Sequence, residues 1–440
     1  MKKCALVIAV LLLVSIAVHA QVKRTSVPLG NAIDKALNQF LLTGRNARPF
    51  HLRISISEPE NPQSPYQGAI EEWWVSDNQW RREVADKGGM RQTIVISNGN
   101  RTEKDEGDYF PLWLRSFVTA AFDPVPGNAP SVFATSGATV DQITLPNGAR
   151  SDACARFKSQ VGSGINAIDI FSNVCFDPDG HLKFYGSAGY DMEFHDYHGF
   201  GKKQYPREFA DDPESGTHLV GKVEIIEDES RADRPGLFSP LASTDDRFRT
   251  SVVSTAQLEK LVAGIPPIAW PTVRSGHTSG NLAIYIAIDT DGKVREAWPL
   301  TGDNGELHDL LRQQAHNWQI KPVVDSSGSR VQIEGSLSFH FETSIGKPLP
   351  VVAGADIQKQ ILDCPYNPTL PAGLLPSGTK VSIRISVERD GSYAGASFSS
   401  MDGVKVFEQT GLSKRTCRFK PYMEDGQPTY YFMDLVFTAP

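Results

Sequence analysis

LAIYIAIDTDG (residues 282–292) and VSIRISVERDG (residues 381–391) present one pattern twice, 99 residues apart. Leu282, Ile284, Ile286 and Ile288 recur every second residue in the first, and Val381, Ile383, Ile385 and Val387 in the second, which is the period of a strand with one buried face. Each run stops at a turn dipeptide, Asp291-Gly292 or Asp390-Gly391, so each opens a hairpin. The offset persists outward from Ala256 to Pro322 and from Ala355 to Pro421, pairing Pro266 with Pro365 and Lys321-Pro322 with Lys420-Pro421. A copied period at a copied offset indicates a duplicated structural module.

Each copy starts with a short helical pattern, Leu258, Leu261 and Val262 or Ile357, Ile361 and Leu362. In the first copy a second strand begins near Val294. A helix follows, capped by Asp303 or Asn304, with Leu307, Leu310, Leu311 and Trp318 on one face, and Lys321-Pro322 ends it. A closing strand carries Val331, Ile333, Leu337, Phe339 and Phe341.

Upstream of the repeats, Ile33, Ala36, Leu37, Phe40 and Leu41 mark an amphipathic helix over 32–42. Strand patterns then follow at 50–57, 66–75, 79–85, 92–97, 140–145, 153–157, 167–176, 181–185, 192–197 and 218–227, with a short helix at 111–121. One helix leading into about ten meandering strands predicts a curved antiparallel sheet able to leave an apolar hollow. Trp73, Trp74 and Trp80 are its candidate ligand-cavity residues, although aromatics more often fill a core. Residues 229–254 lose periodicity and gain charge, as expected of a linker.

At 440 residues the chain exceeds one ordinary core, and its net charge of −7 with no Lys/Arg-rich block disfavours nucleic-acid binding. Residues 1–20, with Lys2-Lys3, an apolar run from Ala5 to Val18 and Val18-His19-Ala20, read as a secretory signal peptide, so the mature chain is expected in the periplasm or secreted. The run is shorter than a membrane span requires. Beyond Cys4 there remain Cys154, Cys175, Cys364 and Cys417. The pairing expected among three connectivities is Cys154 with Cys175 and Cys364 with Cys417, which keeps each bridge inside one domain.

Residues 30–228 resemble the LolA-like lipoprotein carriers, whose half-barrel is covered by helices. The first repeat resembles the C-terminal domain of TonB, through its helix, two strands, helix, strand order, the Asp-Gly hairpin, the Trp-x-x-Lys-Pro exit at Trp318 and the Trp270-Pro271 pair. The second repeat resembles it less, with Cys417 in place of Trp318 and the proline shifted to Pro371. The expected fold is therefore α+β, a curved antiparallel half-barrel with helices over 21–228 and two small modules over 255–343 and 344–440. The TonB resemblance implies that the closing strands take a partner's extended segment by strand addition, with Trp270, Pro271, Gln332, Glu334, Ser338 and Tyr430 as contact residues. The opposing expectation is that those edges are covered.

No catalytic residues, metal or cofactor are expected. His195-Asp196-Tyr197-His198 is the densest histidine and carboxylate cluster, but strand positions three apart face opposite sides. No nucleophile elbow or phosphate loop is present. The leading expectation is a non-enzymatic periplasmic protein binding an outer-membrane or envelope partner. One alternative is a lipid or lipoprotein carrier using the half-barrel. Another is a TonB-type energy transducer, for which Ser15 and His19 reproduce the anchor-helix spacing.

Overall fold

A computed structural model describes residues 23–440 apart from 45–46, 127–128, 145–149, 212–217, 230–235, 243–244, 364–368, 371–372, 399–402, 404–405 and 408–416. The signal segment, Cys364 and Pro371 lie outside the described residues. Two compact units are present. The first comprises the described residues up to Trp270 together with Ser279–Glu342, and the second comprises Pro271–Thr278 together with Thr343–Pro440. Among the described residues no helix is long and apolar enough to cross a membrane.

In the first unit, β1 (Lys23–Pro28) leads into α1 (Leu29–Phe40) and then a meander of β2 (Phe50–Ser57), β3 (Gly68–Ser76), β4 (Gln79–Asp86), β5 (Arg91–Ser97) and β6 (Asn100–Glu106). After α2 (Leu112–Phe122), α3 (Ala129–Thr135) and β7 (Thr139–Thr144), a second meander runs through β8 (Ala153–Val161), β9 (Ile168–Phe176), β10 (Leu182–Ser187), β11 (Tyr190–Phe200), β12 (Lys203–Asp211) and β13 (Leu219–Asp228). The first and last strands of this series, β2 and β13, pair antiparallel and join the two meanders into one open eleven-stranded sheet ordered β6-β5-β4-β3-β2-β13-β12-β11-β10-β9-β8. It does not close into a barrel.

Alternation along β2 explains the packing. Phe50, Leu52, Ile54 and Ile56 are buried on the face that the helices cover. Leu29, Ile33, Ala36 and Phe40 of α1 and Leu114, Phe117, Ala120 and Ala121 of α2 complete that layer. Phe40 meets Phe194 and Tyr205 with ring centroids 5.5 and 5.2 Å apart. Side chains thus fill the face beneath α1, while a pocket remains between α2 and β5. Cys154 and Cys175 stand opposite each other on β8 and β9 and form the expected disulfide, which staples the sheet's edge strand.

The first repeat continues the same unit. It is built from β14 (Thr250–Val252), α4 (Thr255–Val262), β15 (Ser279–Ile288), β16 (Val294–Gly302), α5 (His308–His316), β17 (Val323–Val324) and β18 (Arg330–Glu342), in the order β14-β18-β15-β16 with β17 also on β18. The second repeat, in the second unit, has β19 (Val351–Ala353), α6 (Ile357–Gln360), β20 (Ile361–Asp363), β21 (Lys380–Val387), β22 (Tyr393–Phe398), β23 (Arg418–Phe419), β24 (Tyr422–Glu424), β25 (Gln427–Thr429) and β26 (Tyr431–Thr438). Its sheet runs β19-β26-β21-β22. The leading strand lies parallel to the closing strand in both copies, and the other pairs are antiparallel.

The duplicated Asp-Gly and Lys-Pro signatures prove to be one physical device. The carbonyl of Gly292 accepts from Ile320 N at 2.7 Å, and that of Gly391 accepts from Phe419 N at 2.8 Å. Both glycines have φ near the left-handed region, +84° and +86°, and a Cβ would come within 1.8 Å of Ile320 O or 2.0 Å of Phe419 O. Only glycine therefore lets the hairpin turn clasp the chain just before Lys-Pro. Cys417 is buried and disulfide-bonded.

Candidate functional site

The first repeat is fixed to the large sheet by buried polar contacts. Helix α2 starts after Pro111, which offers no side-chain cap. The cap comes instead from β16, whose Glu296 Oε1 accepts from Leu112 N at 2.5 Å and from Tyr109 OH at 3.0 Å. A carboxylate there satisfies free amides and faces the positive end of the helix. One turn further on, Arg115 pairs with Glu334 of β18 at 2.6 Å, with side-chain exposures of 14% and 12%. Burial raises the Glu296 carboxyl, and the Leu112 amide and Arg115 oppose that rise. Burial works against the Arg115 charge, but Glu334, Tyr109 and Glu296 more than offset it.

Two close approaches complete the junction. At Gly162 (φ +78°) a Cβ would meet Ser338 Oγ at 2.0 Å, and at Gly189 (φ +73°) it would meet the Tyr285 ring at 2.5 Å. Asn281 Nδ2 donates to Ala167 O at 2.8 Å, and His340 N donates to Asn166 Oδ1 at 3.0 Å. The stretch expected to link the two parts runs along the sheet's edge. Asp245 N donates to Glu103 O of β6 at 2.8 Å, and Phe248 is buried against Phe110. Covering β6 in this way satisfies edge groups that would otherwise invite another strand.

Two open pockets lie along this junction among the described residues. One, of about 420 Å³, is lined by Ile94, Phe110, Val118 and Phe248 together with Arg101, Arg115 and Arg249. Its cations are already neutralised: Arg101 by Glu103, Arg115 by Glu334, and Arg249 by Asp246 and Asp325. The other, of about 270 Å³, is a cleft between the β9–β12 region and β16. Phe184 and Tyr190 line it from the sheet, Trp298, Pro299 and Leu300 line it from the repeat, and Asp191 and Asp211 bring carboxylates. This smaller cleft combines aromatic and aliphatic side chains with two acids, which makes it a candidate binding site.

No protein-family model matches the chain, and no curated protein matches it either. Among solved structures, a domain assigned to outer-membrane lipoprotein sorting from Vibrio parahaemolyticus is similar at 10% identity and a TM-score of 0.21, over 47% of this chain and 94% of that one. A LolA superfamily protein from Nitrosomonas europaea is similar at 8% identity and a TM-score of 0.20, over 46% of this chain and 93% of that one. Each of these two covers a little under half of this chain and nearly all of its own length.

The residues singled out in the sequence fall in several places. Trp74 stacks on Phe50 at 5.8 Å inside the helix-covered core and pairs across strands with Trp80. Trp73 points to the opposite face and stacks on His51 at 5.0 Å. None of the three lines either cavity. Gln332 and Ser338 are buried within β18, and Glu334 is the partner of Arg115. Trp270 Nε1 donates to His340 O at 3.2 Å, the carbonyl of Pro271 accepts from the Thr343 hydroxyl, and Tyr430 receives Arg389 over its ring at 5.3 Å. On β18, the outer edge is taken by β14 and β17 at one end and by Asn166 and Trp270 near His340. A strand-adding peptide therefore finds no continuous edge there.

His195 and His198 each bind their own carboxylate, Glu193 at 2.9 Å and Asp196 at 2.8 Å, and are not brought together. Two other groups do converge. His51 meets Glu227 and Glu229, and Asp177, Asp179 and His181 meet in the β9–β10 turn. In the first, His51 is held between Glu71 at 2.8 Å and Glu227 at 3.2 Å. In the second, Asp177 Oδ1 accepts from Asp179 N and His181 N and closes the turn. Sequence reading missed the Asp191 and Asp211 cleft. Neither carboxylate belongs to a motif, and residues 212–217, which follow Asp211 directly, lie outside the described residues.

Proposed function

We propose that the chain is a non-enzymatic periplasmic carrier that holds an amphiphilic envelope molecule, a lipid or a lipidated segment, in the cleft between the large sheet and the first repeat. The observation that supports this reading is the shared wall. Phe184 and Tyr190 come from one part and Trp298 and Leu300 from the other, in a body fastened by Glu296 and Arg115. Beneath α1 the core is filled by side chains, and the space beside α2 and β5 is the other pocket, whose arginines are all paired. Native mass spectrometry of gently purified protein tests the proposal. A bound amphiphile that disappears in Leu300→Arg is the expected result, and protein free of any amphiphile in both forms would overturn it.

A second reading, docking by strand addition, is favoured at one place in the second repeat. Past Asp434 no described strand pairs with the outer edge of β26, and Val436 is 64% exposed there. Photocrosslinking from Val436 in intact cells should capture an outer-membrane protein, and recovery of uncrosslinked chain alone would rule docking out.

A further inference from the structure

The acid in the cleft is not explained by its apolar wall. Asp211 ends β12 with 2% of its surface exposed, lines the cleft, and has an Oδ1 that meets no hydrogen-bond donor among the described residues. Burial lifts its carboxyl well above the ordinary range, and Asp191 and Glu296 push it the same way. Asp191 shares the cleft. The one cation among the described lining residues, Arg156, stands over the Phe171 ring at 3.7 Å.

Burial by itself holds such a carboxyl neutral. Its Oδ1, without a donor among the described residues, is satisfied by a cationic N–H group whose charge restores the ionised form. A metal ion requires several converging ligands, and the described groups that converge so lie around His51 and Asp177, away from this cleft. An ammonium group needs fewer. It donates up to three hydrogen bonds, is attracted to carboxylate, and is favoured beside Trp and Tyr rings, and Trp298 and Tyr190 line this cleft.

We propose that the cleft recognises a protonated primary amine borne by an amphiphile, with Asp211 and Asp191 receiving the ammonium and Trp298, Tyr190 and Phe184 enclosing the adjoining methylenes. This rests on the cleft being the amphiphile site and specifies which chemistry enters it. The same alkylammonium occurs in an aminophospholipid headgroup and in the lysine side chain of a lipidated segment.

Calorimetric titration of the full chain with decylammonium, decanol and decyl sulfate tests it. Decylammonium should bind at least about tenfold more tightly than the other two, the scale of one charged hydrogen bond, and Asp211→Asn should remove that preference. Asp191→Asn serves as the second variant and should reduce the preference for decylammonium over decanol. Equal binding of decylammonium and decanol, or an Asp211→Asn protein that keeps the preference, overturns amine recognition while the amphiphile site stands. No binding of any of the three overturns both. Dihexanoylphosphatidylethanolamine against dihexanoylphosphatidylglycerol, and a decanoylated lysine peptide against its norleucine analogue, identify the source. A preference for the amine member in either pair supports the proposal, and none in both contradicts it.

Discussion

Asp105 gives the sharpest handle on the junction between sheet and repeat. It lies on β6 with 2% of its surface exposed, and its Oδ2 accepts from Phe248 N at 2.8 Å, where the chain turns towards the first repeat. Burial pushes its carboxyl up to about 7, the Phe248 amide opposes this, and the Glu103 charge adds to the rise. The folded state thus holds a proton that the unfolded chain releases near its ordinary value of 3.8. Asp105 contributes stability that is full below the unfolded pKa and is lost as pH rises through the folded one. One pKa unit corresponds to about 1.4 kcal/mol, so the loss between pH 5 and pH 8 is about 2–3 kcal/mol. The substitution Asp105→Asn keeps an acceptor for the Phe248 amide and removes the ionisation. Urea unfolding followed by tryptophan fluorescence at both pH values should show wild type losing about 2–3 kcal/mol more than the variant. Parallel pH dependences in the two proteins would refute the assignment, since other buried acids such as Glu72 and Asp211 contribute equally to both.

Further outcomes follow from other contacts. Glu296→Ala removes the cap of α2 and a neighbour of the Arg115 charge, and should lower unfolding stability by about 2 kcal/mol, with faster hydrogen exchange at Leu112 and Trp113. Glu334→Ala strands Arg115 and should cost about 3–5 kcal/mol, whereas Arg115→Met with Glu334→Leu should recover most of it in a double-mutant cycle. Gly292→Ala should destabilise by about 3 kcal/mol or more, because its Cβ meets a backbone carbonyl, and Gly328→Ala, in open space, supplies a milder comparison. Replacing Cys154 and Cys175 by alanine should cost about 3 kcal/mol, read as loss of amide protection along β8 and β9.

Much of this architecture is legible in the chain because strands with one buried face declare themselves by period. The strand expected at 50–57 is β2 itself, and the hairpins at Asp291-Gly292 and Asp390-Gly391 pair as their alternation requires. Two strands of the large sheet escape such reading. Arg101, Glu103, Lys104, Asp105 and Glu106 give β6 the look of a solvated loop, since it is an edge strand whose burial comes from residues 245–248. Strand β12 has Pro206 in its middle, a residue that argues against a strand, yet it pairs opposite Tyr197 next to Asp196, whose φ is +54°. Helix α3 is short and carries no helical stripe. The cleft is less legible still, because it arises where β16 meets β10–β12 and no local pattern records that meeting. Glu296 illustrates the point. In sequence it is one acid in a hairpin strand, and only the fold shows it capping a helix 184 residues earlier.

The most direct measurement places a photoreactive benzoylphenylalanine at Ser187, in the lining of the cleft, and identifies by mass what it captures in intact cells. The account predicts an amine-bearing lipid or lipidated peptide as the adduct, lost when Asp211 is replaced by asparagine. Capture of no amphiphile at Ser187, with a lipid adduct forming instead from the Trp73 face of the sheet, would contradict it.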